Sequence, residues 1–412
     1  MVNGAFYDDL ETRDPDQREA ALFAALPEHL GRARDKAAYY ARLLGNFDPA
    51  QVTDRQALAK LPVTRKSELV NIQSAGDPMG GMTTVPPGQL LRIFQSPGPT
   101  YDAEGFGKDW WGTARALHAS GFRAGEIIHN TFSYHFTPAG VMLEAGAHAL
   151  GCAVFPAGIG NTELQVQAIH DIRPAGYVGT PSFLRLILEK AEAMGKDTSS
   201  LKNACVAGEG LPPDLRKFIE DHGIYCGQIY ASADIGNIAY ESEAREGLIV
   251  DERLIVEVVR PGTADPVADG EVGEVVVTVL RSDYPLIRFA TGDLSMVLSG
   301  VSPCGRTNMR LKGWMGRADQ ATKVKGMFVH PAQVAEIVRR HPQISRARVV
   351  VTHDGHSDIM TFKFESGEGG EALQGALPAT IQNVCKLKGT ALLVPSGSLP
   401  NDGKVIEDAR TA

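Results

Sequence analysis

The sequence contains little cysteine, and its cysteines form no recognisable pattern. Five cysteines stand among 412 residues, and no two of them make a C-x-x-C pair. A small odd number of scattered cysteines favours neither a disulfide framework nor an intact zinc site. Such usage is typical of a reducing compartment, so we expect a cytoplasmic location.

Two further absences exclude other classes of protein. Basic residues are not in excess, because 41 Lys and Arg face 49 Asp and Glu, and the resulting net charge of −8 argues against nucleic-acid binding. No long apolar run is present either. The most apolar stretch, 139–160, contains Glu144, His148 and several glycines, and the N-terminus lacks the apolar core of a secretory signal. We therefore expect no nucleic-acid partner and no membrane association.

The pattern of apolar residues predicts an α/β fold. From about residue 125, short β-rich runs alternate with helical segments, which favours a mostly parallel sheet covered on both faces. In one of these units Thr180 is expected to cap a helix that has Pro181 in its first turn. After residue 243, short alternating strands predict an antiparallel appendage to the large domain.

The length of the chain exceeds what one core usually supports, so two domains are expected. Residues 345–366 predict two strands, flanked by helices near 331–341 and 378–388. We assign residues 1–316 to a large N-terminal domain and residues 320–412 to a small C-terminal α+β domain, joined by a hinge.

Six motifs occur along the chain in a characteristic order: GTPS, AGEG, YASAD, RFATGD, GRADQATKVKG and LPNDGK. Their order resembles that of the adenylate-forming superfamily of acyl-coenzyme A synthetases. The segments GNTELQVQAI, TPSFLRLI, YPLIRFATGDLS and MFVHPAQVAEIV resemble the versions found in phenylacetate–coenzyme A ligases. The similarity extends from about residue 90 to the end of the chain, and weakly into the N-terminal helical region.

The resemblance implies a ligase that uses ATP, Mg²⁺ and coenzyme A in two steps. A small carboxylate substrate would attack the α-phosphate of ATP to give an acyl-adenylate and pyrophosphate. The thiol of coenzyme A would then displace AMP and form a thioester. Chemistry of this type depends mainly on positioning and charge neutralisation.

Lys404 in LPNDGK is the candidate catalytic residue. The resemblance implies that the C-terminal domain inserts this ammonium group between the α-phosphate and the carboxylate, where it would offset growing negative charge. The alternative is a solvated surface lysine beside a turn. The spacing from the hinge and the LPxxGK context favour the catalytic interpretation.

The resemblance also implies the nucleotide-binding residues. Asp293 would hold the ribose hydroxyls, and Arg317 would contact the sugar and phosphate. Gly208 and Glu209 would lie against adenine, with Tyr230 and Ala231 beside the same ring. For Asp293 the alternative is a turn-stabilising role.

Asp319 matches the hinge residue about which the small domain would rotate between the two steps. The alternative for the GRAD segment is an exposed linker, and the sequence alone leaves both interpretations open.

The phosphate-binding loop departs from the family pattern. The stretch 92–102 keeps Ser96, Gly98 and Thr100 but introduces Pro97 and Pro99. Each proline removes a backbone N–H donor and stiffens the loop. We expect the loop to bind the β- and γ-phosphates more weakly than in the family, or through different groups.

Two metal positions also depart from the pattern. Asp234 replaces the usual Glu at the Mg²⁺-binding position, and it can still reach the metal directly or through a water. Some relatives carry what looks like a zinc site, formed by a cysteine, a nearby histidine and a C-x-C-G-R turn; at the matching places this chain has Ser242, Leu248 and only Cys304. Because a tetrahedral site needs four ligands, we expect no structural zinc.

The acyl pocket is assigned to SYHFTPAG at 133–140, where Tyr134 and Phe136 would form an apolar wall and His135 would approach the carboxylate. An aryl or arylacetic acid is the expected substrate, although aromatic residues after a strand are more often core residues. Two other functions stay open: an adenylating ligase that passes the acyl group to an amine or carrier thiol, and a catalytically silent binding protein. A homodimer is implied by the resemblance alone.

Overall fold

The computed structural model describes residues 5–74, 76–96, 100–318, 322–324, 327–329, 331–353, 358–367, 369–402 and 404–410. Two residues with predicted roles, Gly98 and Asp319, lie outside the described residues, as do Pro97 and Pro99. Within the part of the chain that is described, no helix is both long and apolar enough to cross a membrane.

Side-chain caps fix the start of two of the longer helices. Asp14 accepts N–H groups of Asp16 and Gln17 at the start of the first long helix, and Thr180 accepts the N–H of Phe183, which confirms the predicted cap. The helices are α1 Pro15–Lys36, α2 Ala38–Leu43, α3 Arg55–Leu58, α4 Leu69–Ile72, α5 Ala114–Ala119, α6 Ala139–Leu150, α7 Thr162–Ile172, α8 Pro181–Met194, α9 Pro213–Asp221, α10 Pro331–Arg340 and α11 Gly370–Cys385.

The strands form one large sheet, two four-stranded sheets and two small hairpins among the described residues. They are β1 Thr64–Arg65, β2 Arg92–Ser96, β3 Thr100–Glu104, β4 Ile127–Asn130, β5 Ala153–Pro156, β6 Gly176–Gly179, β7 Asn203–Val206, β8 Tyr225–Ser232, β9 Gly236–Glu241, β10 Leu248–Val250, β11 Leu254–Val259, β12 Gly273–Val279, β13 Leu286–Ser295, β14 Val297–Leu298, β15 Arg310–Leu311, β16 Thr322–Val324, β17 Met327–Val329, β18 Ile344–His353, β19 Asp358–Ser366, β20 Thr390–Leu393 and β21 Ile406–Asp408.

The nine-stranded sheet has the order β14-β15-β10-β9-β8-β7-β6-β4-β5. Strands β5, β4, β6, β7 and β8 pair in parallel, whereas β8, β9, β10 and β15 pair antiparallel. The predicted mostly parallel sheet is therefore present. Strands β9, β10 and β15 extend it in antiparallel fashion, whereas the segments 254–259 and 273–279, on which the appendage was predicted, belong to a separate sheet. The parallel strands are joined by helices, as βαβ connections require.

The apolar face of α8 shows how the helices cover this sheet. Leu184, Ile187, Leu188 and Ala191 recur at helical spacing and are all buried. They pack with Tyr177 of β6 and with neighbouring strand and helix residues in one core cluster. Burial of each large side chain contributes about 1.5–3 kcal/mol, so this face fixes the helix on the sheet.

The chain divides into two compact units that are not continuous in sequence. The first consists of Met1–Val256, Val277–Phe289 and Leu298–Gly313, and the second of Glu257–Val276, Ala290–Val297 and Trp314–Ala412. The division falls within β11, β12 and β13, which with β1 form a four-stranded sheet of order β1-β13-β12-β11. The domain boundary at residues 316–320 stays a prediction.

The C-terminal part of the second unit has a sheet of order β20-β19-β18-β21. Helices α10 and α11 contribute Val334, Ile337, Leu377 and Ile381 to its core. The predicted helix near 378–388 begins earlier, at Gly370, and Pro378 lies inside it. The sequence-based start at the proline was wrong because the preceding residues, EALQGA, are mostly good helix formers and bury Leu373 and Leu377.

Candidate functional site

The parallel strands of the first unit end at a common edge, and several predicted site residues follow them. The registers place Val178 of β6 beside Cys205 of β7, and Val206 of β7 beside Gln228 of β8. Thr180, Gly208 and Asp234 come shortly after these strands, at the carboxyl edge of the sheet. Ligands of open α/β sheets bind at this edge, so the fold provides a site there.

The loop after β7 is shaped by its glycine. Gly208 has φ +85, a left-handed conformation that residues with a Cβ rarely adopt, whereas the nearest atom to an added Cβ is Thr180 Cγ2 at 3.5 Å. The positive φ, more than close packing, therefore requires glycine here. Glu209 Oε1 accepts the N–H of Ser182 at 2.7 Å, in the first turn of α8. This bond attaches the 207–210 loop to the start of α8.

Tyr230 and Ala231 lie near the end of β8, where the register with β9 shifts between them. Both residues are half-buried. A bulge at this position redirects the side chains that follow it. The strand therefore presents Tyr230 and then Asp234 close to the same sheet edge.

The predicted phosphate loop, residues 92–102, falls on the paired strands β2 and β3 and on the three residues between them in sequence. Ser96 pairs directly with Thr100 across the hairpin, so only three residues, 97–99, connect the two strands. The side chains of Ser96 and Thr100 are buried. The described polar groups of this loop thus face the protein interior.

A buried carboxylate pair lies next to this hairpin. Asp102 of β3 and Asp234 after β8 are both 0% exposed, and their side chains are within hydrogen-bonding reach of each other. Ser96 Oγ donates to Asp102 Oδ2, and Lys66 Nζ donates to Asp234 Oδ2 at 2.5 Å. Burial, followed by the nearby charge of Asp234, raises the pKa of Asp102 well above its usual value.

Arg281 holds the turn that carries Asp234. Its guanidinium donates to the backbone oxygen of Asp234 at 3.3 Å and to that of Ile235 at 2.5 Å. The same group lies 3.6 Å from the ring centroid of Trp110. These contacts fix the position of the Asp234 backbone through a cation–π contact and two hydrogen bonds.

Sequence reasoning missed Lys66, Asp102 and Arg281. Thr100, Asp102 and Glu104 alternate along β3 and are all buried, so an inward-facing row of polar residues could have signalled Asp102. Lys66 is separated from Asp234 by 168 positions, and nothing in its local sequence indicates that pairing.

In the segment predicted to line the acyl pocket, residues 133–140, one of the three assigned side chains is held by hydrogen bonds and two are exposed. Tyr134 Oη donates to Glu144 Oε2 at 2.7 Å and accepts from Asn130 Nδ2 at 2.9 Å. Burial and the Glu144 carboxylate raise the pKa of Tyr134. His135 is exposed, and Phe136 is 76% exposed. Tyr134 thus has a structural role, and its role in the acyl pocket stays a prediction.

Phe136 has a backbone conformation that is unusual for a bulky residue. Its φ is +61, and its carbonyl oxygen accepts the N–H of Gln95 at 2.8 Å. The bond joins the β2–β3 hairpin to the 133–138 loop. Left-handed conformations of residues other than glycine concentrate at ligand-binding positions, because the surrounding structure must hold them.

In the second unit, Asp293 and Arg317 are brought together. Arg317 Nη1 lies 3.1 Å from Asp293 Oδ1, and the two residues form an isolated β-bridge. Trp314 Nε1 also donates to Asp293 Oδ1 at 3.1 Å. Two residues that were assigned to the same part of the nucleotide are therefore neighbours, although 24 positions separate them in sequence.

Lys404 is exposed and lies in a groove of about 840 Å³ within the second unit. Other residues that line the groove include Arg260, Asp269, Arg339 and Arg348. The backbone N–H of Lys404 donates to Asp402 Oδ1 at 3.1 Å, and Asp402 forms an ion pair with the buried Arg348. Asp402 thus holds the backbone N–H of Lys404, while the Lys404 side chain is exposed.

Cys304, the one cysteine at the positions where some relatives have a zinc site, has a polar neighbour. Cys304 Sγ lies 3.0 Å from Ser302 Oγ. Among the described residues, no group of three or more His, Cys, Asp and Glu side chains is arranged to hold a metal ion. A cation held by one or two protein carboxylates needs substrate or water to complete its ligands.

Comparison with known proteins gives consistent matches. A model of the AMP-binding enzyme family matches residues 110–279. The phenylacetate-coenzyme A ligase of Aromatoleum evansii is 30% identical over 374 residues, covering 86% of this chain and 83% of that protein. The phenylacetate-coenzyme A ligase of Escherichia coli (strain K12) is 30% identical over 435 residues, covering 98% and 97%.

Solved structures show the same architecture. An open conformation of 2-hydroxyisobutyryl-CoA ligase, in complex with 2-HIB-AMP and CoA, matches with a TM-score of 0.73 at 23% identity, covering 97% of this chain and 93% of that one. The same ligase in its thioesterification state gives a TM-score of 0.72, also at 23% identity, covering 100% and 94%. This likeness confirms the predicted fold class.

Proposed function

This chain belongs to the AMP-binding, adenylate-forming enzyme family, and from that premise we propose that it activates a small carboxylic acid with ATP and transfers the acyl group to coenzyme A. The reaction is that of an AMP-forming acid–thiol ligase. One observation carries the proposal: phenylacetate-coenzyme A ligases are about 30% identical to this chain over most of its length.

The adenylation step needs a nucleotide held in one position. Gly208 and Glu209 offer their backbone to adenine, and the bond from Ser182 to Glu209 keeps that loop in place. Tyr230 contributes an aromatic face at the end of β8. Asp293, already oriented by Arg317 and Trp314, accepts the ribose hydroxyls.

Negative charge accumulates when a carboxylate approaches the α-phosphate, so the chain must supply cations. Lys404 is the cation assigned to this step, because its ammonium group is exposed and available to a substrate. Two anions at 4 Å repel by about 4 kcal/mol at an effective dielectric constant near 20, and an interposed ammonium group offsets that term.

Asp234 fits the Mg²⁺ position of the family, because its Oδ1 is buried and receives no hydrogen bond from the residues that the structure describes. When bound, Mg²⁺ neutralises charge on the triphosphate. The protein's own contribution is to hold the carboxylate in place, through Lys66 on its Oδ2 and Arg281 on its backbone oxygen.

An aryl or arylacetic acid is the proposed substrate. Phe136 offers an exposed ring next to the β2–β3 hairpin, to which its carbonyl is bonded. The ring of an aromatic acid could pack against the Phe136 ring. Such an aromatic pair contributes about 0.5–1.5 kcal/mol to binding beyond the burial of apolar area. The four phenylacetate-coenzyme A ligases among the relatives support the same class of acid.

Three further proposals accompany the activity. The chain functions in the cytoplasm, a reducing compartment suited to its free cysteines. Residues 320–412 rotate about Asp319 between the two steps. The molecule is a homodimer, which sedimentation velocity would measure.

The decisive experiment is carboxylate-dependent ATP–pyrophosphate exchange with the purified full chain. The panel should contain phenylacetate, benzoate, 2-hydroxyisobutyrate and hexanoate, and we expect the aromatic acids to support the fastest exchange. Adding coenzyme A should then yield a thioester and AMP in equal amounts.

Two outcomes would point elsewhere. Exchange followed by amide formation with an added amine, without thioester, would indicate the amine-transferring alternative. Nucleotide binding without exchange for any acid would indicate a catalytically silent protein.

A further inference from the structure

Three buried oxygen atoms in the first unit receive no hydrogen bond from a donor group of the described residues, and their charges influence one another. They are Asp102 Oδ1, Asp234 Oδ1 and Tyr284 Oη, and their residues are at most 1% exposed. The charges of Asp234 and Asp102 both act on Tyr284. Buried polar atoms are nearly always satisfied in folded proteins, so unpartnered oxygens together indicate a missing ligand.

The charges around these oxygens do not balance. Among the described residues, one cation contacts the two buried carboxylates: Lys66 Nζ lies 2.5 Å from Asp234 Oδ2, and its charge also acts on Asp102. Asp102 is satisfied on one oxygen by the neutral hydroxyl of Ser96. A buried carboxylate without a counter-charge is strongly destabilised, so this arrangement favours uptake of a positive charge.

The neighbouring hairpin has few donors with which to bind phosphate. Only residues 97–99 separate Ser96 from Thr100, and two of these three residues are proline. Proline has no N–H, and phosphate-binding loops act largely through successive backbone N–H groups. Groups other than these backbone N–H donors must therefore neutralise the negative charge of a triphosphate bound beside the hairpin.

We propose that Asp102 and Asp234 together hold one divalent cation, with Asp102 as a second metal-binding carboxylate that compensates for the short, proline-containing turn. Mg²⁺ is commonly bound through one or two carboxylates, with waters and substrate phosphates completing its octahedron. The two unpartnered oxygens supply that number of ligands. This inference rests on the proposed function, which places Mg²⁺ at Asp234, and extends it to β3.

A cation bound by Asp102 would also link two separate parts of the first unit. Asp102 lies two residues after Thr100, on the strand that leads out of the turn. A cation shared with Asp234 therefore ties the β2–β3 hairpin to the end of β8. Lys66 stays on the other oxygen of Asp234, so the loaded site carries net positive charge toward the phosphates.

The test uses Mn²⁺ alone, titrated into the full chain without nucleotide and followed by electron paramagnetic resonance of the free ion. We expect one site in the unaltered protein. Asp102→Asn and Asp234→Asn should each weaken Mn²⁺ binding at least 10-fold, because each removes one anionic ligand. Asp214→Asn, an exposed aspartate on α9, is the matched control and should bind as the parent does.

Lys66→Met distinguishes a metal site from general disruption. Removing a cation that contacts Asp234 should tighten Mn²⁺ binding, by about 10-fold, because the carboxylates then attract the metal without competition. A merely damaged fold would weaken binding. Circular dichroism of each variant checks that the chain is folded.

Two results would overturn the inference. One is the lack of a Mn²⁺ site in the unaltered protein. The other is Asp102→Asn binding Mn²⁺ with parental affinity, which would indicate that the pair shares a proton instead. Failure of the proposed function looks different: Mn²⁺ would bind, and depend on Asp102, while no acid supported pyrophosphate exchange.

Discussion

The carboxyl edge of the large sheet and the segment around Lys404 hold their charged groups in opposite ways. At the sheet edge, Asp102 and Asp234 are 0% exposed and fixed by contacts from distant parts of the chain. In the second unit, Lys404 is exposed, and the Asp293–Arg317 pair is 16% and 40% exposed. Buried charges are costly and must be supported, whereas exposed pairs contribute at most about 1 kcal/mol.

The difference in burial fits the two different tasks that we propose for these groups. Groups that bind a cofactor in a set geometry need a rigid, preorganised surround. A group that is delivered to a substrate must be free of strong partners. Substitutions at exposed positions should therefore change activity with little effect on stability, and substitutions at buried ones should change both.

The largest effect is expected for Lys404→Ala. Loss of the ammonium group should lower the rate of carboxylate-dependent ATP–pyrophosphate exchange at least 100-fold, in line with removal of a single electrostatic donor. Its melting temperature should match that of the parent, because the side chain is exposed. Lys388→Ala, another exposed lysine of the same unit, is the control. Undiminished exchange by Lys404→Ala would remove this residue from catalysis.

A smaller effect is expected from buried His129, which should lower the free energy of unfolding as the pH falls. Burial lowers the pKa of His129 to about 4, below the usual 6.5, so the unfolded chain binds more protons than the folded one between these values. Stability should therefore fall as pH drops from 6.5 toward 4, by up to about 3 kcal/mol from this group.

Urea titrations at several pH values measure this contribution. His129→Asn should make the decline shallower, with the rest coming from buried His29 and His118, whose pKa values burial also lowers to about 4, whereas His148→Asn, at an exposed position, should leave it unchanged. Equal pH profiles for the parent and His129→Asn would show that burial of this imidazole does not govern the response.

The smallest effect is expected for Asp293→Asn. The change removes charge from a half-exposed ion pair, so the free energy of unfolding should fall by less than about 1 kcal/mol. The amide can accept only on its single oxygen, and affinity for AMP should weaken by about 10-fold, measured by calorimetric titration. A large loss of stability with unchanged AMP affinity would make Asp293 a structural residue only.

The local sequence predicted a considerable part of this molecule. The cap at Thr180, the buried face of α8 and the alternation of strands and helices follow from short-range propensities. Ordered motifs around Gly208, Asp234, Asp293 and Lys404 indicated the family, since each motif lies within one segment. The start of α11 was missed, although the residues before Pro378 are mostly good helix formers, and burial of Leu373 and Leu377 adds to that local preference.

The sequence by itself determined the fold class, the family and the candidate nucleotide residues, because these depend on periodicity and on motifs within a few residues of each other. Only the tertiary structure decided that Lys66 and Asp102 join Asp234, and that Ser96 pairs with Thr100 across a short turn. Such contacts join parts of the chain up to 168 positions apart. Burial of their charges follows from the packing of whole strands, which no local pattern encodes.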